Sequence, residues 1–181
     1  QPLLNLVFHR FAIPLYQSGT EQILQKSVIA TVLTALEAAL GGFEQRSMLR
    51  YLRAALSPLD PDTCDIVENY AVMWGIRGQK WTQPWRYHPD GLSGEWDEKS
   101  WERLEKLEQV RLASVEPLQS LHQGFREASS LGQQVTALFD FLQNIQLETR
   151  LSDLSWEIEE AGDNRSAQIL NQLWEILMSA L

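Results

Sequence analysis

The sequence predicts a mainly α-helical, compact domain with one short strand near its start. Apolar residues recur at helical spacing along most of the 181 residues, and the apolar and charged fractions, 44% and 22%, are those of a globular protein. The single cysteine, Cys64, excludes a disulfide framework and a cysteine-based zinc site. Because the chain opens on Gln1 rather than Met, we expect one domain over 1–181 that is an internal fragment of a longer protein.

The first elements are predicted from an apolar run, a cap and a helical stripe. Residues 11–16 are typical of an edge strand, and we assign 1–17 to an arm. Ser18 and Glu21 predict a capping box, and Gly41-Gly42 predicts the end of the first helix. One face of that helix carries Ile29, Leu33, Leu36 and Leu40.

Further helices follow from the same spacing. A second helix over 43–56 should place inward Leu49, Leu52 and Leu56. A third should begin at Asp60-Pro61 and bury Ile66, Val67, Tyr70 and Trp74. A long helix over 97–127 should kink or restart at Pro117.

The last third, 128–181, is also predicted to be helical and carries a net charge of −6, from eight acids and two bases. We interpret this excess as a solvated helix surface. A break is expected near 148–149, and Gly162-Asp163 should stop one helix and cap the next. The apolar stripes are Leu131, Val135, Leu138, Leu142 and Ile145, then Leu151, Leu154 and Ile158, and finally Ile169, Leu173, Ile176 and Leu177.

Helical periodicity stops over 75–96, a segment with four glycines and two prolines. It also carries Trp81, Trp85, Tyr87 and Trp96. Such large rings are unfavourable in water, so we expect them to pin the loop onto the helices, with Trp81 and Trp85 buried.

No catalytic, cofactor-binding or metal-binding residue is predicted. The phosphate-binding motif G-x-x-x-x-G-K-[ST] is absent, and His9, His88 and His122 lie in separate elements. Asp90, followed by 97–99, spells a two-carboxylate and lysine motif of magnesium nucleases. We favour the alternative that Asp97 caps a helix.

Two basic groups are candidates for DNA or interface contacts. The first is a helical stripe, Arg46, Arg50 and Arg53, and the second comprises Arg77, Lys80 and Arg86, interleaved with Trp81 and Trp85. Cations beside aromatic rings suit single-stranded nucleic acid. The loop cations could instead pair with acids or stack on tryptophans, and the stripe could be solvated or face another subunit. With a net charge of −9, any contact with nucleic acid must be local.

Specific segments give the sequence a family resemblance. They are Glu68-Asn69-Tyr70, Gly75-Ile76-Arg77-Gly78, Lys80-Trp81-Thr82 and Pro84-Trp85-Arg86-Tyr87, flanked by Ala12–Tyr16, Met48–Arg53, Glu159–Asp163 and Gln172–Trp174. Together they resemble the AddB family, the B subunits of bacterial AddAB helicase–nucleases that process double-strand breaks for recombination. Ala12 stands where the family has glycine.

The resemblance implies a fold position and a role. The chain resembles the helical insertion in the second domain of a superfamily 1 helicase, entered by the strand 13–16. ATP and Mg²⁺ bound through the partner subunit, and an iron–sulfur cluster and Mg²⁺ in the nuclease domain, would lie outside it. The implied partners are the rest of AddB, AddA and DNA, in the bacterial cytoplasm and without a membrane.

Two functions remain open from the sequence. One is a non-catalytic module that shapes the DNA path or a subunit interface. The other is a direct DNA-contact module that uses the loop over 75–87. An independent enzyme is the interpretation that the motifs favour least.

Overall fold

The computed structural model describes residues 21–180, with side chains over 28–179, and within this range it holds helices and no strand. This confirms the mainly α-helical class. The predicted strand at 11–16, the arm 1–17 and the cap at Ser18 lie outside the described residues. The helices are α1 Glu21–Leu40, α2 Gln45–Leu52, α3 Pro61–Met73, a 3₁₀ helix Gly78–Thr82, α4 Glu98–Glu127, α5 Leu131–Asn144, α6 Leu147–Glu160 and α7 Asn164–Ala180.

Three of these helices begin at an aspartate cap that the sequence predicts. Asp60 accepts a hydrogen bond from the Thr63 N–H at 2.9 Å, and Asp163 accepts one from the Ser166 N–H at 3.1 Å. Asp97 and Ser100 form a reciprocal capping box. Hydrogen bonds to the charged carboxylates hold the pKa of all three aspartates below its usual value. The cap interpretation of Asp97 is thus confirmed.

The core lies where α1, α3 and α4 meet the shorter helices. α1 packs against α2, α4 and α7, α5 packs against α4, and α6 packs against α7. None of the helices in the described range is long and apolar enough to span a bilayer. The largest side chains that are almost completely buried are Trp81, Tyr51, Phe141, Met48, Leu52, Ile76, Leu118 and Leu121.

Several predicted boundaries are wrong for local reasons. α2 covers only Gln45–Leu52 of the predicted 43–56, because Phe43 has a left-handed φ of 59° and the chain turns after Leu52. Pro117 does not restart α4, which runs through it as one helix. The break expected near 148–149 falls at Gln146, whose φ is 54°.

Apolar spacing also assigned inward positions to several residues that are exposed, on α3, α5, α7 and α1. Ile66 and Ile176 are more than half exposed, and Leu131, in the first turn of α5, is 75% exposed. On α1 three members of the predicted stripe, Ile29, Leu33 and Leu40, are exposed, whereas Leu36 is partly buried against the core. The buried face of α1 instead consists of small or β-branched residues, namely Val28, Thr31, Ala35, Ala38 and Ala39. Small side chains let helices approach closely, so alanine rather than leucine marks the inner face here.

A close approach between α4 and α5 gives a stability prediction. A Cβ atom built on Gly124 would lie 2.6 Å from the Ala137 Cβ, so Gly124→Ala should overpack this contact and cost about 1–3 kcal/mol. Gly132→Ala is the matched control, because its Cβ would lie 4.0 Å from the nearest atom. It should stabilise the protein by up to about 1 kcal/mol through helix propensity. Urea unfolding midpoints measure both, and equal stabilisation by the two variants would contradict the close packing.

Candidate functional site

The aromatic loop, residues 75–96, lies against α3 and α4, with its largest rings inside the core. Trp81 is 1% and Trp85 4% exposed, which confirms their predicted burial. Trp85 stacks on Tyr70 of α3, with ring centroids 4.9 Å apart, and Trp81 packs at an angle against Trp85. The Trp81 indole N–H finds no hydrogen-bond partner among the described residues, so this ring contributes by packing.

An ion pair on α4, between a buried arginine and a partly buried glutamate, holds the backbone of both tryptophans. Arg111, which is 4% exposed, donates two hydrogen bonds to Glu108, at 2.8 and 2.5 Å. Its remaining nitrogen, Nη1, donates to the Trp81 carbonyl at 3.1 Å. The Glu108 carboxylate in turn accepts the Trp85 backbone N–H at 2.9 Å. Each member of the pair therefore forms a hydrogen bond with a backbone group of the loop, the Trp81 carbonyl or the Trp85 N–H, that packing against the helices removes from water.

The charge of Glu108 depends on these partners. Burial acts to raise the pKa of Glu108, but the hydrogen bonds from Arg111 and the Trp85 N–H, together with the Arg111 charge, hold it below its usual value. Sequence analysis missed this pair because an i, i+3 glutamate and arginine are usually exposed on a helix. The one feature of the sequence that could have indicated the burial of Arg111 is its position between two apolar residues, Val110 and Leu112.

The C-terminal end of α3 fastens the middle of the aromatic loop. The Tyr70 hydroxyl donates to the Tyr87 carbonyl at 3.1 Å and accepts the Tyr87 N–H at 3.0 Å, as an adjacent strand would. Burial raises the pKa of Tyr70 to about 12. Trp74 donates from Nε1 to the His88 carbonyl at 3.0 Å and stacks on the Tyr87 ring.

The far end of the loop is built around a buried histidine. Nδ1 of His88 accepts the Asp90 N–H at 3.1 Å, and Nε2 lies 3.1 Å from the Glu95 carbonyl oxygen. A Cβ on Gly94 would lie 2.1 Å from the His88 ring, so only glycine fits there. Trp96 packs edge-on against His88, and Trp101 of α4 stacks on Trp96 at 4.1 Å.

The three loop cations differ in what they contact. Nζ of Lys80 lies 3.4 and 3.3 Å from the carbonyl oxygens of Trp74 and Gly75. It donates hydrogen bonds to these carbonyls at the C-terminal end of α3, where its positive charge interacts favourably with the helix dipole. Arg77 and Arg86 are exposed, and no side chain described over 28–179 forms an ion pair with either of them. The alternative in which these two arginines pair with acids is therefore wrong for the described part of the chain.

The predicted arginine stripe is largely neutralised by neighbouring helices. Arg50 pairs with Glu37 of α1 at 2.7 Å. Arg53 pairs with Asp65, also at 2.7 Å, and with Glu68 of α3. Arg46 is exposed, and no residue whose side chain is described pairs with it. Such surface pairs contribute about 0–1 kcal/mol each, so the stripe tethers α2 to α1 and α3 only weakly.

The two aspartates that match the magnesium-nuclease motif, Asp90 and Asp97, have structural roles. Asp90 pairs with Arg103 at 2.6 Å, and Asp97 caps α4. In the described range no three histidine, cysteine or acidic side chains converge on one point.

The Cys64 thiol is buried against the Leu52 carbonyl, and burial raises its pKa. A buried thiol in this state is a packing residue rather than a nucleophile.

Removing the charge of Glu108 should loosen the loop. Glu108→Gln leaves the buried Arg111 without its counter-ion and should cost about 2–4 kcal/mol at pH 7, near the cost of breaking a buried pair. The lowered pKa means that the ionised carboxylate stabilises the fold above the unfolded-state value, about pH 4.3, and that this stability is lost as the pH falls further. Urea unfolding from pH 7 to pH 3 should therefore show the difference between wild type and variant shrinking.

The control for this prediction is Glu105→Gln, which removes an exposed and unpaired carboxylate from the same helix. It should change the free energy of unfolding by less than about 0.5 kcal/mol. If both variants lose the same stability, or if the cost of Glu108→Gln does not change with pH, the ion pair does not hold the loop.

Comparison with known proteins gives one consistent relationship. No protein-family model matches the sequence. The chain is 28% identical over 181 residues to the B subunit of the ATP-dependent helicase/deoxyribonuclease of Clostridium botulinum, covering 99% of this chain and 16% of that protein. Proteins of the same name from Clostridium acetobutylicum and Desulforamulus reducens are 25% and 28% identical, with 98% and 96% of this chain covered.

The chain thus spans about one sixth of the length of the curated relatives that it matches. The resemblance inferred from the loop and its flanking segments is confirmed. Over nearly its entire length, this chain is similar to one segment of AddB, the B subunit of ATP-dependent helicase/deoxyribonucleases.

Proposed function

We propose that this chain is a non-catalytic helical module of AddB, the B subunit of an ATP-dependent helicase–nuclease, and that it shapes the DNA path or the subunit interface during double-strand break repair and recombination. The observation that carries this proposal is the burial of Trp81 and Trp85, whose backbones are both held by α4. Rings that complete a core are unavailable for stacking on bases. Similarity to proteins named as B subunits supports the parent's identity.

The parent's cofactors are proposed to bind outside this chain. An iron–sulfur cluster held by four thiolates cannot be built from Cys64 alone. The chain also lacks the glycine-rich motif that cradles ATP phosphates. ATP and Mg²⁺ are assigned to the partner subunit AddA, and the cluster with its nuclease Mg²⁺ to another part of AddB. The assembly would work on DNA in the bacterial cytoplasm.

The outward face of α1 supports the role of a packing module. Ile29, Leu33 and Leu40 are 57%, 54% and 48% exposed and share one side of the helix. Three large apolar side chains on one exposed face favour contact with another protein surface. In the parent, the rest of AddB is the nearest surface that could cover them.

A second candidate function is direct DNA contact through the outer side of the aromatic loop. It is favoured by Arg77 and Arg86, which are exposed and unpaired within the described range. Lys80 would contribute less, because its ammonium group lies against the end of α3. The contact would be small and strongly salt-dependent, given the overall net charge of −9.

Titration of a labelled forked DNA separates the two candidates. Fluorescence anisotropy of the 181-residue chain at low salt should show no saturable binding if the chain is a structural module, and Arg77→Ala/Arg86→Ala should change nothing. Saturable binding that weakens with salt and is lost in this double variant would instead establish DNA contact. Lys106→Ala/Arg126→Ala is the matched control, because it removes two exposed cations from α4. Equal loss in the control would indicate non-specific attraction.

Packing of α1 in the parent is tested by placing a charge on its outer face. Leu33→Glu should leave the unfolding free energy of the isolated chain within about 0.5 kcal/mol, because Leu33 is exposed there. In full-length AddB, the same change should lower thermal stability or the yield of the complex with AddA. Ile66→Glu, at a 58% exposed site on α3, is the control. If neither variant affects the full-length protein, α1 is not an internal interface.

A further inference from the structure

The most unusual exposed feature is a stacked pair of tryptophans at the start of α4. Trp96 is 43% and Trp101 57% exposed, and their ring centroids lie 4.1 Å apart at an interplanar angle of 23°. Neither ring belongs to the buried pair Trp81 and Trp85. Two large rings in water are costly unless another surface covers them.

The buried His88 ring supports the stacked pair on the side that faces the core. Trp96 meets the His88 ring edge-on at 4.6 Å, and His88 is 6% exposed and packed against Gly94. The stack therefore runs from the core to the surface and fixes the orientation of Trp101. A ring that is already ordered loses little conformational entropy when a ligand covers it.

Acidic side chains lie beside the outer ring. Glu98, Glu102 and Glu105 are exposed, and none of the side chains described over 28–179 forms a hydrogen bond or ion pair with them. Successive helix residues are offset by about 100°, so these three carboxylates fall on one side of α4 with Trp101. Together with Trp85 and Glu108, they bound a hollow of about 510 Å³.

The basic residues of the same helix segment border this face on one side. Lys99 and Lys106 are the i−3 and i+4 neighbours of Glu102, and Arg103 is paired with Asp90. Arg111 is committed to Glu108. The described residues that line the hollow include four glutamates and no basic residue, so it presents an aromatic face and net negative charge, a combination that repels phosphates and suits a cation.

We propose that Trp101, Glu98, Glu102 and Glu105 form a docking surface for an arginine-bearing segment of a partner protein. A guanidinium group stacks on a tryptophan face while its N–H groups donate to carboxylates at the rim. Lysine would bind more weakly, since its compact ammonium is more strongly hydrated and lacks the planar fork. This inference does not depend on the nucleic-acid role considered above, because it uses the opposite charge preference.

The test uses a short synthetic peptide of alternating arginine and glycine as the probe. Two-dimensional NMR of the 181-residue chain resolves the indole N–H signals of its seven tryptophans. Saturable shifts of the Trp101 and Trp96 signals are expected. Trp101→Ala should weaken binding roughly fivefold, the usual scale of an exposed cation–π contact. Glu102→Gln/Glu105→Gln should weaken it similarly and flatten its salt dependence.

Trp156 provides the matched control. It is 60% exposed on α6 beside Asp153, Glu157 and Glu160, but it stacks on no other described ring. Trp156→Ala should leave the affinity unchanged. Equal weakening by Trp156→Ala, or equal binding of a peptide with citrulline in place of arginine, would overturn the proposal. So would a single-stranded oligonucleotide whose binding is lost in Trp101→Ala, because the face would then accept nucleic acid.

Discussion

The ion pair of the buried Arg111 with Glu108 is the constraint on which the position of the aromatic loop depends. A charged group without partners would be destabilising in the low-dielectric surroundings of Arg111. Pairing with Glu108 and hydrogen bonds to the backbone of Trp81 and Trp85 supply those partners. The loop cannot leave α4 without exposing two tryptophans and stranding Arg111.

Attachment of the loop decides which of its chemical groups remain available. The inner rings and Lys80 satisfy packing and helix-end requirements. Arg77 and Arg86 are left on the outer side, and the stacked pair Trp96 and Trp101 is left at the far end. One loop therefore separates a small basic edge from an acidic, aromatic face. Those two surfaces call for partners of opposite charge, so they can be tested independently.

The same separation bears on the role of the module within a larger protein. A helical body with an outward apolar stripe on α1 and an acidic surface is suited to contact protein more than to enclose DNA. Phosphate contact, if it occurs, is confined to the edge that carries Arg77 and Arg86. The proposed role in shaping a DNA path therefore depends on where this chain would lie within the proposed complex of AddB with AddA.

By itself, the sequence determined the helical class, the aspartate caps at 60, 97 and 163, the interruption of the α-helical pattern over 75–96 with buried Trp81 and Trp85, and the resemblance to AddB. Each of these depends on local spacing, capping chemistry or motif identity. Tertiary structure alone decided that the alanine face of α1 is the inner one, that Arg111 is buried while it pairs with the partly buried Glu108, and that Trp101 stacks on Trp96. These features depend on which helices meet. Spacing along one helix shows which residues share a face, but only packing against its neighbours shows which face water reaches.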